Sequence, residues 1–173
     1  FSADEQNFYY ALGAIKNVGF EAISNLVKER IKNGKFKNLF DFINRSDPKD
    51  INKLQLEGLV KAGAFDSLEI NRQSLFKSIP SFITKSKNIF ENKSYNQIDL
   101  FAETENDENN ILSITEDWKF EERLSKEFEA VGFFISDHPL NQFKEIFNDY
   151  KIIDYLNFNN NEIKESNVAA TLL

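Results

Sequence analysis

The feature that most constrains the fold of this chain is a tight hairpin followed at once by a helix, within the segment from Phe8 to Ile31. The hairpin is expected at Asn17-Val18-Gly19, because position 17 requires a positive φ and Asn commonly replaces Gly there. A helix over 20–32 should follow, with one buried face formed by Ala22, Ile23, Leu26, Val27 and Ile31. Its exposed N-terminus, with free N–H groups and the positive end of the helix dipole, suits a phosphate.

DNA is therefore the first partner to consider, although an ordinary helical hairpin that binds nothing is equally consistent with the spacing. The division of charge bears on this choice. Residues 1–95 carry 15 Lys and Arg against 11 Asp and Glu, whereas residues 96–173 carry 6 against 17. Any attraction for nucleic acid should come from the first half, because the second half would repel phosphate.

The plan of the first hairpin recurs about 45 to 50 residues further along, which suggests a tandem helix-hairpin-helix whose halves cover each other's apolar faces. A second helix is expected over Asn52 to Ala62 and would end at Gly63. Asn71 would cap a third, long helix, in which the apolar stripe continues to Phe90. Pro80 lies inside that helix and predicts a kink or a break. Minor elements are expected at 8–10, a short strand, and at 39–44, a small helix.

Apolar periodicity stops between residues 92 and 110, where Asn, Glu, Asp and Ser dominate as in a linker. This stretch contains Gln97-Ile98-Asp99-Leu100-Phe101, an amide followed by a pair of large apolar side chains. Such a segment can dock into a groove on a partner. The alternative is that its apolar side chains fold back onto the third helix.

The last part of the chain predicts short helices and then a strand. A helix over 117–131 should carry Trp118, Leu124, Phe128 and Val131 on its apolar stripe and end at Gly132. A shorter helix should run from 139 to about 150, and residues 168–173 predict a β-strand. The expected fold class is mainly α: a tandem helix-hairpin-helix domain, an acidic linker, then a short helical connector that ends in a truncated β-strand.

No catalytic arrangement is visible in this sequence. His138 precedes Pro139 at an expected helix cap, and a structural role is favoured because no Ser, Cys or second His stands at a useful spacing. No Asp-x-Asp pair on an expected strand could hold two metals for phosphoryl transfer. With no cysteine and no membrane-spanning run, a cytoplasmic location is the default. The absence of methionine suggests a piece of a longer chain, which we expect to be inert and to carry no cofactor.

Several segments occur here in the same order as in the alpha subunits of bacterial DNA polymerase III, the C-family replicative polymerases, and the chain resembles that family over essentially its whole length. They are LGAIKNVG, FKNLFDFINR, LEGLVKAGAFDSL, NRQSLF, QIDLF and EAVGFFISDHPLNQF. The resemblance implies a tandem helix-hairpin-helix DNA-binding domain over 1–91 and an acidic linker over 92–116 that carries a sliding-clamp motif. A helical connector over 117–160 and the truncated start of an OB-fold domain over 161–173 would follow.

The resemblance also implies roles for individual residues. In the first hairpin, the phosphates of duplex DNA would be approached by Lys16, Asn17 and Gly19, although Asn17 replaces the family's usual glycine. The counterparts in the second hairpin are Lys61 and Gly63, but the apolar tip of that hairpin suits packing better than DNA contact. Gln97, Leu100 and Phe101 match the key positions of the clamp motif, with Ile98 and Asp99 between them. The implied partners are duplex DNA, bound weakly and without sequence preference, the sliding clamp (the beta subunit) and the rest of the holoenzyme, with no membrane. The catalytic carboxylates and Mg²⁺ of such a polymerase belong to the palm domain, upstream of Phe1.

Two other classes of protein stay open. One is a free-standing helix-hairpin-helix DNA-binding module of a repair protein or helicase, which the HPLNQF region and the expected exit strand disfavour. The other is a helical interaction scaffold, which QIDLF in a polar linker disfavours.

Overall fold

The structure is a computed structural model that describes residues 1–94, 112–160 and 164–172. It divides into two compact units, residues 1–133 and 134–173. In the first unit, strands β1 (Ser2–Ala3) and β2 (Phe8–Tyr9) pair antiparallel, and a 3₁₀ turn at Leu12–Ala14 leads into the helices α1 (Phe20–Asn33), α2 (Leu39–Arg45), α3 (Lys53–Lys61), α4 (Arg72–Ser94) and α5 (Phe120–Val131). The second unit contains a 3₁₀ turn at Pro139–Phe143, α6 (Lys144–Asp149) and α7 (Tyr155–Asn160). The chain is mainly helical, as the sequence predicts.

Several helix ends follow from local capping residues. Asn52 and Gln55 form a reciprocal capping box at the start of α3, and the Asn71 side chain accepts the Ser74 N–H at 2.9 Å at the start of α4. Gly34 and Gly132, which follow α1 and α5, both have φ of 84°, a conformation that costs glycine little. These four caps place the starts of α3 and α4 and the ends of α1 and α5 within a residue or two of the positions expected from the sequence.

Of the two outcomes expected at Pro80, a kink or a break, the break does not occur, because α4 is continuous from Arg72 to Ser94. A proline inside a helix removes one backbone hydrogen bond and costs about 3 kcal/mol. Its neighbours Ile79 and Phe82 are 1% and 3% exposed, and burial of each contributes about 1.5 to 3 kcal/mol. Continuing the helix keeps both side chains in the core, which offsets the loss at Pro80.

The core of the first unit lies where α2, α3 and α4 meet. Its most deeply buried apolar side chains are Ile43, Ile51, Leu56, Val60, Leu75 and Ile79. Two positions expected on buried stripes are exposed instead: Ile31 is 78% exposed and Phe90 is 43% exposed. Both lie in the later turns of long helices, past the residues that pack against the core. The apolar stripes of α1 and α4 are therefore shorter than their sequence pattern.

The chain returns to α4 before α5 begins. Ser113 N–H donates to Ser78 Oγ at 2.8 Å, and the Thr115 carbonyl accepts the Asn71 side-chain amide at 2.7 Å. Asp117 then accepts the Gln73 N–H at 3.0 Å, so its carboxylate caps α4. This is why α5 begins at Phe120 rather than at Asp117 as expected.

Helix α5 is part of the first unit, where Trp118 and Leu124 are buried as predicted. The Trp118 and Phe76 rings meet edge to face with centroids 5.5 Å apart. The helical connector expected over 117–160 is consequently divided between the two units, with the change after residue 133.

The second unit confirms the cap expected at His138, whose Nδ1 accepts the Leu140 N–H at 3.2 Å. The β-strand expected over 168–173 is absent from residues 168–172. A single parallel bridge joins Ile152 to Asn167, just before that segment. Val168 is 77% exposed, and an extended apolar segment without a neighbouring strand has no ladder to join.

Candidate nucleic-acid interface

The first hairpin is shaped by alternating buried and exposed residues. Ile15 and Val18 are 4% and 7% exposed and anchor the turn in the core, while Lys16, Asn17 and Gly19 are exposed. The Val18 N–H donates to the Ile15 carbonyl at 3.1 Å and closes the turn. Asn17 has φ of 66°, which confirms the positive φ predicted for this position. The turn therefore holds Lys16 and Asn17 outward on a rigid base.

The N-terminus of α1 follows directly from this turn. Gly19 is its N-cap and, lacking a side chain, offers no side-chain acceptor to the first N–H groups of the helix. Glu21 in the first turn complements the helix dipole but opposes an incoming anion. The electrostatic preference for phosphate at this end is thus modest, and it depends on Lys16 for a full positive charge.

Two other helices hold the hairpin backbone in place. A Cβ atom added to Gly58 of α3 would lie 2.7 Å from the Lys16 carbonyl oxygen, closer than real Cβ atoms come to such a group. From the other side, the Lys16 N–H donates to the Ala130 carbonyl of α5 at 2.9 Å. Lys16 therefore offers a side-chain charge and no free backbone N–H. Sequence reasoning missed Gly58, although an isolated glycine inside a helical pattern is a signal for close packing.

The second hairpin faces inward. Gly63 has φ of 75°, and Phe65 is 7% exposed and meets the Phe42 ring at 5.0 Å between centroids. The Arg72 guanidinium occupies the space where a Cβ on Gly63 would lie. The apolar tip packs into the core, as its composition predicts.

A buried ion network ties this second hairpin to α4 and α5. Arg72 is 3% exposed; its Nε and Nη2 bind the two carboxylate oxygens of Asp66 at 2.8 and 2.6 Å, and its Nη1 binds Glu127 Oε1 at 2.8 Å. Glu127 is fully buried. Burial by itself would lower the pKa of Arg72, but its hydrogen bonds with Asp66 and Glu127 outweigh that effect, and its pKa is raised. The guanidinium is therefore charged and fixed inside the protein.

Lys61, predicted in the second hairpin, lies at a cluster that α5 completes. Its Nζ pairs with Glu129 Oε1 at 2.7 Å and lies 5.7 Å from the centroid of the Phe76 ring. Lys126 Nζ lies 5.9 Å from the centroid of the adjoining Trp118 ring.

The pKa of Glu129 reports the charges around this cluster. It is lowered first by the hydrogen bond from Lys61, and then by the nearby positive charges of Lys61, Lys126 and Lys16. The structure thus brings Lys16 and Lys61, from different hairpins, close to one carboxylate. Sequence reasoning missed Lys126 and Glu129, because no local pattern on α5 marks residues that meet the hairpins only in three dimensions.

The remaining predicted site residues, Gln97 to Phe101, lie outside the described residues. Within the described parts of the chain, no group of three or more His, Cys, Asp or Glu side chains could hold a metal ion. Nor does any helix in those parts have the length and apolar character needed to cross a bilayer.

Comparison with known proteins gives one family model and several similar proteins. A family model described as a helix-hairpin-helix motif matches residues 1–75. The DNA polymerase III subunit alpha of Caulobacter vibrioides is 39% identical over 140 residues, which are 81% of this chain and 12% of that protein. The subunits of the same name from Rickettsia bellii and Campylobacter jejuni are 39% and 37% identical over 91% and 93% of this chain, and 13% and 14% of their own lengths. The chain thus spans a small part of the curated relatives it matches.

Proposed function

This chain is homologous to a segment of the bacterial DNA polymerase III alpha subunits, and we propose on that basis that it is a noncatalytic part of a replicative DNA polymerase. In this proposal it holds the backbone of duplex DNA and tethers the enzyme to its sliding clamp. The relatives align over 81% to 93% of the chain, well past the helix-hairpin-helix match at 1–75, which favours this function over a free-standing repair module. For the whole protein we propose DNA synthesis that depends on Mg²⁺, within a cytoplasmic holoenzyme. Residues outside these 173 would hold the metal.

The observation that carries the DNA contact is the first hairpin. Lys16 and Asn17 are exposed on a turn whose flanking side chains are buried, and the turn opens onto the N-terminus of α1. Backbone N–H groups and a lysine charge contact phosphate without reading sequence. The second hairpin contributes less to this first contact, because Gly63 and Phe65 face the interior and Lys61 is paired with Glu129 in the free protein.

The DNA contact is tested by Lys16→Glu in the 173-residue chain, with binding to unrelated DNA duplexes measured by fluorescence anisotropy. One hairpin reaches few phosphates, so log K should fall with log salt at a slope of about −2 to −4. Lys16→Glu should weaken binding equally on every sequence. Lys28→Glu, an exposed lysine further along α1 that undergoes the same charge change, is the matched control. No effect of Lys16→Glu at low salt, or a strong preference for one duplex, would place the DNA face elsewhere.

Tethering to the clamp is proposed for the segment Gln97-Ile98-Asp99-Leu100-Phe101. One support is the sequence itself, in which an amide is followed by two large apolar side chains within an acidic stretch. The other is position, since the residues before and after this stretch both belong to the first unit. A modest isolated contact suffices, since DNA held by the hairpin raises the effective concentration of the clamp.

The clamp contact is tested by combining Leu100→Ala with Phe101→Ala. The double variant should lose binding to the cognate sliding clamp, because each side chain is expected to contribute about 2 kcal/mol or more as a hot spot. Its melting temperature should stay nearly unchanged. Ile98→Ala, within the same segment, should leave both properties almost intact. Retained binding would move the contact to other residues, and a large drop in melting temperature would show that Leu100 and Phe101 belong to the core.

A further inference from the structure

The lysine cluster on α5 offers a second place for a DNA phosphate. We propose that α5 extends the DNA surface, with Lys61 and Lys126 as phosphate-binding groups and Glu129 as an internal anion that a backbone phosphate displaces. This inference rests on the proposed function and names a further part of the same site. It concerns residues outside the matched helix-hairpin-helix region at 1–75, apart from Lys61.

The first step of the argument is the geometry of the two lysines. Lys61 lies on the Phe76 ring and Lys126 on the Trp118 ring, and these rings meet at 5.5 Å. The faces of aromatic rings attract cations, so each of these two adjoining rings holds one ammonium group. Two ammonium groups held on adjoining rings favour an anion near them, and the carboxylate of Glu129, paired with Lys61, is such an anion.

The second step is the state of Lys61. Its side chain is only 14% exposed, and a charged side chain that is mostly removed from water is stabilised by a partner of opposite charge. Glu129 supplies it at 2.7 Å, and the Glu129 side chain is itself 51% exposed. A half-exposed carboxylate can turn away into water at little cost. A phosphate oxygen then satisfies the same ammonium with a charge-assisted hydrogen bond of the same kind.

The third step is continuity with the first hairpin. Ala130, the residue after Glu129, accepts the Lys16 backbone N–H at 2.9 Å. The cluster and the hairpin are therefore joined through one hydrogen bond, and the positive charge of Lys16 is near enough to contribute to the lowered pKa of Glu129. Glu129 competes with the DNA backbone for Lys61, which keeps binding weak and readily reversible.

The experiment compares Glu129→Gln with Glu122→Gln, which removes the same charge from an exposed residue in the first turn of the same helix. Binding of the 173-residue chain to a labelled duplex is measured across a range of salt concentrations. Glu129→Gln should tighten binding by about threefold or more at about 50 mM salt and make the log–log salt slope more negative by about 1. Glu122→Gln should change both quantities much less.

A second pair of variants tests the lysines. Lys126→Gln should weaken binding and make the salt slope less negative by about 1, whereas Lys119→Gln, an exposed lysine at the start of α5, should not. In a Lys61→Gln background, Glu129→Gln should lose most of its gain, because the freed cation is missing. Melting temperatures of all variants identify any that are misfolded.

The outcomes separate this inference from the proposed function. If wild-type protein binds duplex DNA and Lys16→Glu impairs it, while Glu129→Gln behaves like Glu122→Gln, the role of α5 is refuted and that of the hairpin stands. Absence of wild-type binding at low salt overturns both.

Discussion

Gly58 is the position where one added methyl group should disturb the candidate DNA contact most directly. In Gly58→Ala the new Cβ would lie 2.7 Å from the Lys16 carbonyl oxygen, with Val18 Cγ2 and Ile15 Cγ2 at 3.3 and 3.4 Å. The first contact is with backbone, which cannot rotate aside as a side chain does. Either α3 or the turn that carries Lys16 must move by several tenths of an ångström.

Two opposing effects set the magnitude. Alanine is a better helix former than glycine, which favours the variant by about 1 kcal/mol. Overpacking in a well-filled interior costs about 1 to 3 kcal/mol, and this site lies at the upper end because the contact is with backbone on a turn already fixed by the Lys16–Ala130 hydrogen bond. The net loss of unfolding free energy should be about 1 to 2 kcal/mol, with weaker DNA binding because the turn is displaced.

The matched control is Gly13→Ala in the turn before the hairpin. There the added Cβ meets Phe20 atoms at 3.7 and 3.8 Å, which is ordinary contact, so the variant should be neutral or more stable by about 0.4 to 1 kcal/mol. Urea unfolding is followed by fluorescence of Trp118, the single tryptophan of the chain. A Gly58→Ala protein as stable as Gly13→Ala, with DNA affinity unchanged, would refute the argument from close approach.

Three further predictions concern the ion pairs and the chemistry. Glu127→Ala should lower the free energy of unfolding by about 3 to 5 kcal/mol, because it leaves Arg72 charged, buried and short of one partner. Glu121→Ala, on the same helix, should change it by no more than about 0.5 kcal/mol. Similar urea midpoints for the two variants would contradict this prediction. Hydrogen bonds from Asn33 and Arg45 lower the pKa of Glu29 in the native state. The ionised carboxylate therefore stabilises the native state at any pH above the pKa that Glu29 has in the unfolded chain. This contribution is lost as the pH falls through the lower native pKa. Glu29→Gln should therefore be less stable than wild type near pH 7 and converge with it in acid, and a stability gap that stays constant down to about pH 2 would speak against it. The purified chain should incorporate no nucleotides with Mg²⁺ present, and incorporation that follows the protein through purification would show that this part is catalytic.

Local chemistry made the helix ends and the first hairpin predictable. The spacing of Asn52 and Gln55 specifies a capping box, and the positive φ at Asn17 follows from the requirements of one turn. These features depend on residues within four positions of one another. The same holds for the cap at His138.

Features that join distant residues were not predictable in this way. The start of α5 is moved by Asp117 capping a different helix, and Glu127 meets Arg72 across 55 positions of sequence. Lys61 was expected from the resemblance to face DNA, and its partner Glu129 lies 68 positions away. A charge pattern on a single helix carries no information about which other helix it meets.

The hydrogen bonds of Ser113 and Thr115 to the first half of α4 also set a mechanical limit on the clamp proposal. The chain leaves α4 at Ser94 and rejoins it at Ser78, about 24 Å back along the helix axis. Covalent geometry allows at most about 3.6 Å per residue, so Phe101 can stand no more than about 25 Å from the end of α4. The greatest distance between the end of α4 and a protein bound to Leu100 and Phe101 is thus set by the number of residues between Ser94 and that pair. Insertions before Gln97 would increase this distance, whereas insertions after Phe101 would not.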